Sequence, residues 1–453
     1  MIRRLFALAF CACAAASLAA QHVNLAPTPP MGWNSWDAYG FTIDEAQFRE
    51  NVKVLASLKS YGWQYAVIDE GWYMRDPFAA TTAAQQYLFD RNGLLLPVVE
   101  RFPSAANDAG FKPLADWVHG LGLRFGIHVV RGIPKSVVEE NLPIAGSSFH
   151  AADAADRESP CPWNDANWGV ADNAAGQAYY DSMMRRYASW DVDFIKVDCI
   201  SDRPYRPTEI RQVAEAIRKT GRPIVLSLSP GPTAIDHAAE VAKYAEMWRI
   251  SDDHWDLWTN PRPRNGSEYP FGLREAFDRL AAWNPYVTPG HWPDPDMLPE
   301  GVLGPHPGSG KARHTNLTDD EARTEFTLWA VSRSPLIFGG NLTQLDAFSR
   351  ALMTNEDLTD LDQHATSSAP LKTPLAGLDD IRVWKAVVGR AARKYCALFN
   401  LGDAPAQLHV TWAELGYAGS VKAVDVWTHR ASAASPTLDL TLPAHGSALF
   451  RVE

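Results

Sequence analysis

At 453 residues, the chain is long enough for a large catalytic domain and a smaller second one. Its 46% hydrophobic content supplies substantial cores and excludes global disorder. A formal net charge of −11 has the wrong sign for nucleic acid or an anionic membrane, so neither is an expected partner.

The chain opens with Arg3 and Arg4, an apolar stretch over Leu5–Ala16, and small residues at Ser17–Ala20. This is the pattern of a secretory signal cleaved near Ala19 or Ala20. The run is too short to span a membrane comfortably, so the mature chain is expected to be soluble and exported, either secreted or periplasmic. Export leaves Cys161, Cys199 and Cys396. One disulfide and one free thiol is the simplest arithmetic in an oxidising compartment. Scattered cysteines without a CxxC spacing do not build a zinc site. There is no Gly-rich phosphate loop and no Ser-centred nucleophile elbow.

Eight short apolar segments follow, each running into polar, aromatic or Gly/Pro-rich residues. In order they are MGWNSW (Met31–Trp36), YAVIDEGW (Tyr65–Trp72), RFGIHVV (Arg124–Val130), VDFIKVDC (Val192–Cys199), PIVLSLSPG (Pro223–Gly231), EMWRISDD (Glu246–Asp253), YVTPGHWPDPD (Tyr286–Asp296) and PLIFGGN (Pro335–Asn341). Between them, Ile43–Tyr61, Leu114–Gly120, Ala175–Trp190, Pro207–Thr220, Pro270–Trp283 and Asp319–Ser332 carry helix-like apolar spacing. Strands alternating with helices pair in parallel, and eight such units make a (β/α)8 TIM barrel. The insertion from Gly132 to about Asn173 contains ESPCPWNDANWGV and reads as a loop over the active face. After Leu371 short strands succeed one another without helices, the pattern of an antiparallel sandwich packed on the barrel. The expected layout is a signal at 1–20, a catalytic barrel at 21–365 and an antiparallel β domain at 366–453.

Barrel strands deliver their last residues to one rim, where such folds keep their chemistry. That rim receives Trp36, Asp69, Glu70, His128, Lys196, Asp198, Ser229, Arg249, Asp252, Asp253 and Asp296. Hydrolysis of a glycosidic bond needs two carboxyl groups, one kept protonated until it donates. The 17 tryptophans also point to carbohydrate, because an indole face stacks on sugar C–H surfaces, although most tryptophans in any protein are core. Metal binding is the competing use of such a cluster, and Lys196 and Arg249 would oppose a cation. Any single one of these residues serves equally well as a helix cap or an ion-pair partner; as a set they favour a shared site.

Four of these segments carry a family resemblance. PPMGWNSWDAYG (Pro29–Gly40), FIKVDC, MWRISDDHWDLW (Met247–Trp258) and WPDPDML (Trp292–Leu298) resemble, in order, signatures of glycoside hydrolase family 27, the melibiase or α-galactosidase family. The resemblance implies a retaining exo-glycosidase that needs no metal and no other cofactor, acting on terminal α-D-galactosyl units of an oligo- or polysaccharide. It implies Asp198 as the nucleophile and Asp253 as the acid/base, with Asp252 as the fallback. It makes Lys196, Arg249, Asp69 and Asp296 sugar ligands and Trp36 the surface on which the ring packs. A non-hydrolytic carbohydrate-binding barrel is the rival from another class, opposed by the presence of both carboxylates.

The chain also departs from the family pattern. The usual pair of aspartates after strand two is Asp69–Glu70 here, and the longer Glu70 reaches into the space of a hydroxymethyl group. That raises β-L-arabinopyranoside, which is galactose-like without C6, as the alternative substrate. His128 stands where Tyr is frequent, and Ser229 stands where some relatives have Glu, which opens the question of selectivity at C2. The cysteine after the nucleophile follows at once, as Cys199. Pairing with Cys161 would pin the insertion beside the site.

Overall fold

The computed structural model describes residues 25–79, 81, 85–262, 267–304, 311–389 and 392–453. The signal expected at 1–20 lies outside the described residues. The eight segments form strands β1 (Met31–Asn34), β2 (Tyr65–Ile68), β3 (Arg124–Val130), β4 (Phe194–Asp198), β5 (Val225–Leu228), β6 (Met247–Arg249), β7 (Trp292–Asp294) and β8 (Leu336–Phe338). They make one parallel sheet in the order β7-β6-β5-β4-β3-β2-β1-β8. The sheet closes just past β7, where the Leu298 amide donates to the Ile337 carbonyl at 2.8 Å and the Gly339 amide donates to the Leu298 carbonyl at 2.9 Å. Residue 32 must be glycine for β1 to lie this close to β2, because a Cβ there would stand 2.4 Å from the Tyr65 carbonyl oxygen.

Parallel strands need crossovers, and helices supply them. The principal ones are α1 (Glu45–Ser57), α2 (Lys112–Gly120), α3 (Ala174–Ser189), α4 (Pro207–Thr220), α5 (Leu273–Trp283) and α6 (Asp319–Ser332). Capping boxes formed by Asp44 with Gln47 and by Thr318 with Glu321 set the starts of α1 and α6. Among the described residues no helix is long and apolar enough to cross a membrane.

Alternation along the strands builds the barrel interior in layers. On β4, Ile195 and Val197 join the main core around the helices, while Phe194 joins a second cluster with Tyr65, Val67, Val225, Met247, Trp292 and Ile337. That cluster plugs the amino end of the barrel. Lys196, two residues past Phe194 on the same face, is level with His128 and Ser227; Asp198 is one step higher, level with Val130. Apolar bulk is thus spent at the bottom and polar groups are left at the carboxyl rim.

One expectation needs correction. The segment after β3 is not a bare loop: it holds short helices at Lys135–Glu139 and Ala151–Ala154 and a small antiparallel sheet of Ile133–Pro134, Asn167–Val170 and Ala155–Asp156. Elements this short hold only one or two repeats of either pattern, too few for apolar spacing to mark them. The structure also has a helix at Ala238–Tyr244 and a strand at Ala365–Pro370; the strand is mostly exposed and polar, with no apolar face to mark it in the sequence.

The carboxyl-terminal region forms a five-stranded antiparallel sheet against a two-stranded one. Its two longest strands, β9 (Ile381–Val388) and β10 (Arg393–Asn400), are buried on both faces. Ile381, Val383, Cys396 and Leu398 turn inward against Leu408, Val410 and Leu442, making the sandwich core. Trp384, Ala386, Val388, Tyr395, Ala397 and Phe399 turn the other way and belong to the core shared with the barrel. The sandwich is therefore seated on the barrel flank, and none of its described residues lines the pocket at the rim.

Candidate active site

A pocket of about 320 Å³ opens at the carboxyl ends of the strands, near the lower end for small-ligand sites and suited to one ring. Trp36, Asp69, Glu70, Lys196, Asp198, Ser229, Arg249, Asp253 and Asp296 all line it. His128 does not; it sits behind Asp198, only 1% exposed.

The Asp198 carboxylate is held at both oxygens. Its Oδ1 accepts from the Cys199 amide at 2.5 Å, and His128 Nε2 lies 3.1 Å from Oδ2. Burial opposes ionisation of Asp198, but His128, Lys196 and the Cys199 amide outweigh it and lower the pKa. Burial likewise opposes charge on His128, and Asp69 and Asp198 together still raise its pKa. Cys199 takes an unusual positive φ of 62°. It is fixed there by a disulfide to Cys161, with Cα atoms 6.0 Å apart, and by Arg131 Nε, which donates to its carbonyl at 2.5 Å. The remaining thiol, Cys396, is buried in the sandwich core.

The neighbouring acids Asp69 and Glu70 differ in charge state. Asp69 Oδ2 accepts from Lys196 Nζ at 3.0 Å and from Asn34 Nδ2 at 2.7 Å. Burial works against its ionisation, but Lys196, His128, the Glu70 amide and Asn34 hold it far below the usual carboxylate range. Among the described residues Glu70 has only Asn164 on its carboxyl, whose Nδ2 donates to Oε1 at 3.3 Å. Burial, with Asp198 and Asp69 adding to it, pushes Glu70 up to about 7 despite His128.

On the opposite side, Asp296 holds a φ of 100°. Such a backbone costs about 1–3 kcal/mol and persists only where its surroundings over-determine it. Here the Asp296 amide donates to Asp294 Oδ1 at 2.9 Å, and Trp329 Nε1 donates to the Asp296 carbonyl at 3.0 Å. Its Oδ2 pairs with Arg249 Nη2 at 2.7 Å and accepts from the His254 amide at 2.9 Å. The same Arg249 Nη2 lies 3.3 Å from Asp253 Oδ1. The Asp253 side chain keeps 48% of its surface open, but into a pocket walled by protein rather than into bulk water. Loss of solvation there, then the charges of Asp296 and Asp198, raise it to about 6 against the pull of Arg249. Asp252 turns away from the pocket, ion-paired with Arg203 and accepting from the Glu268 amide at 2.7 Å.

The pocket thus brings together one carboxyl held ionised and one held protonated to about pH 6, the pair of opposed shifts that glycosidic cleavage requires. Several lining residues were not anticipated. Asp37, next to the expected Trp36, is buried with Oδ2 unpartnered among the described residues, and its carboxyl fills the space where a Cβ on Gly339 would stand. Gln85 is buried, with its Oε1 unpartnered among the described residues; nothing in the sequence around it marks it. Trp163 and Asn164 come from the insertion, where the nearby Cys161 was the available signal. Among the described residues, one group has metal-ligand spacing, Asp116, His119 and Asp191. It lies outside the pocket, and Lys112 and Arg222 already pair with its carboxylates.

Residues 167–364 match the family model for alpha galactosidase A, and residues 379–452 match that for the alpha galactosidase C-terminal beta sandwich domain. A β-L-arabinopyranosidase of glycoside hydrolase family 27 from Geobacillus stearothermophilus, solved with arabinose, is 40% identical, covers 95% of this chain and 98% of its own, and superposes with a TM-score of 0.87. A putative alpha-N-acetylgalactosaminidase from Bacillus halodurans is 38% identical over 94% of this chain and 97% of its own, with a TM-score of 0.80. The alpha-galactosidase A of Cellvibrio japonicus is 26% identical over 95% of this chain and 93% of its own length.

Proposed function

The chain belongs to glycoside hydrolase family 27, and from that premise we propose that it is an exported retaining exo-glycosidase that prefers terminal β-L-arabinopyranosides and takes α-D-galactosides second. The two sugars present the same hydroxyl arrangement around the ring and differ at C5, where galactose carries a hydroxymethyl group. The observation that carries the preference is Glu70. Its carboxyl lines the pocket beside Asp69, which holds ring hydroxyls, and is tethered to Asn164 of the insertion. It occupies the space a C6 group would need. The order of preference reverses the one implied by the sequence motifs. The 40%-identical β-L-arabinopyranosidase supports this order, and the two galactosidase family models support the second substrate.

In this reading the Asp198 carboxylate attacks the anomeric carbon while the Asp253 carboxyl gives its proton to the departing glycosidic oxygen. The C1–O bond to the leaving group breaks and a C1–O bond to Asp198 forms. Asp253, now ionised, takes a proton from water, whose oxygen displaces Asp198 and restores the starting anomeric configuration. Lys196, Asp69, Arg249 and Asp296 bind the ring hydroxyls, and Trp36 carries the apolar face of the ring. His128 acts from behind, keeping Asp198 ionised and aimed.

The test is a panel of p-nitrophenyl glycosides. The β-L-arabinopyranoside is expected to give the highest kcat/KM and the α-D-galactoside the next. A higher value for the galactoside overturns the preference, and cleavage of neither overturns the substrate class.

A further inference from the structure

Of the residues that line the pocket, Trp163 alone is exposed, at 47%; the rest are buried or half-buried. This leaves a large indole open at the pocket that holds the two acids. Its backbone is fixed on both sides. Cys161, two residues before, is disulfide-bonded to Cys199, the neighbour of Asp198. Asn164, one residue after, is 4% exposed, donates to Glu70 Oε1 and to the Tyr87 hydroxyl, and accepts from the Ala166 amide at 3.0 Å. Upstream, the buried Arg131 donates to the Ser159 and Pro160 carbonyls. Among the described residues no ring stacks on Trp163, so the exposed face is free although the backbone is held.

We propose that Trp163 is the platform for the first ring of the leaving group, and so the residue that sets aglycone preference. The proposal rests on the glycosidase reading above. The sugar ring is accounted for by the buried polar groups and Trp36. The leaving group must depart past the residue that protonates it, Asp253, whose side chain is open to the same pocket. Trp163 presents a flat apolar face to that pocket, and such a face suits a second pyranose or an aryl ring, through C–H or π contact. An indole on a fixed backbone loses little rotamer freedom on contact, which makes it an inexpensive anchor.

The discriminating experiment compares Trp163→Ala and Trp163→Phe with wild type on leaving groups that have and lack a ring. For both sugars the set is the glycosyl fluoride, the p-nitrophenyl glycoside and a disaccharide, with free arabinose as an inhibitor that fills only the sugar position. Trp163→Ala is expected to lower kcat/KM for the ring-bearing substrates roughly three- to tenfold, the scale of one aromatic contact. The fluoride kcat/KM and the arabinose inhibition constant should stay within about twofold of wild type, and Trp163→Phe should recover part of the loss. Equal losses on fluoride and disaccharide would show that Trp163 shapes the sugar position instead, and overturn the proposal. So would an unchanged disaccharide rate. A wild-type protein that cleaves neither sugar series is a different result: it removes the substrate reading, and the platform falls with it.

Discussion

Glu70→Asp tests the substrate reading most directly. Removing one methylene withdraws the carboxyl by about 1.5 Å, one C–C bond. That vacates space where the hydroxymethyl of a galactoside must go and leaves an unfilled gap beside an arabinopyranoside. One methylene of fit in a specificity pocket is worth about 1–3 kcal/mol, or roughly 10–200-fold in kcat/KM. The same change breaks the Asn164–Glu70 hydrogen bond, which at 3.3 Å is already long. That loss, at most about 1 kcal/mol, falls on both substrates and cancels in their ratio. The expected outcome is therefore a rise of at least about tenfold in the galactoside-to-arabinopyranoside ratio of kcat/KM. Direct competition between the two p-nitrophenyl glycosides measures that ratio without error from active-enzyme concentration. A ratio within twofold of wild type, or one moving toward the arabinopyranoside, would refute the claim that Glu70 fills the C6 position.

The remaining expectations concern the two acids and the disulfide. Asp198→Gly should abolish turnover, with azide restoring part of it by supplying the missing nucleophile as a small anion; unaided activity near wild type would remove Asp198 from that role. Asp253 must be protonated to donate, so kcat/KM should fall as pH rises through about 6, while the acid side is set by Asp198, below the usual carboxylate range. Glu70, raised to about 7, also titrates nearby, and Glu70→Gln is the control: if the fall vanishes in that variant, it belongs to Glu70. Asp253→Asn should cost about 10²–10⁴-fold on substrates with poor leaving groups and much less on activated ones; a uniform loss would indicate positioning. The Cys161–Cys199 bond closes a loop with a sequence separation of 38, for which chain entropy gives about 4 kcal/mol. The double Ser variant should therefore unfold at markedly lower denaturant, and with its loop loosened it should show raised KM for ring-bearing substrates before it unfolds. An unchanged denaturation midpoint would sink that estimate.

The barrel was legible because its strands are buried on both faces and read as apolar runs. Its rim was legible because ionisable groups end so many of these runs together, although any one of them alone could be a cap or an ion-pair partner. On β4 alternation puts Phe194, Lys196 and Asp198 on one face, the first in the apolar plug and the other two at the pocket. The same alternation turns His128 inward, level with Lys196, but only the packing shows that Asp198 covers it. Asp252 and Asp253 stand at the other limit. They are adjacent and chemically identical, and what separates them is Arg203, 49 residues away in sequence, which draws Asp252 out of the pocket. Trp163 and Asn164 come from irregular backbone without a period to read. A consequence follows for how selectivity is encoded here. The strand ends supply the reacting groups, on positions that a repeating pattern makes visible. The choice of sugar at Glu70 is coupled through Asn164 to the same insertion that presents Trp163. One disulfide-anchored segment thus reaches the sugar side of the pocket through Asn164 and, in the proposal above, its leaving-group side through Trp163.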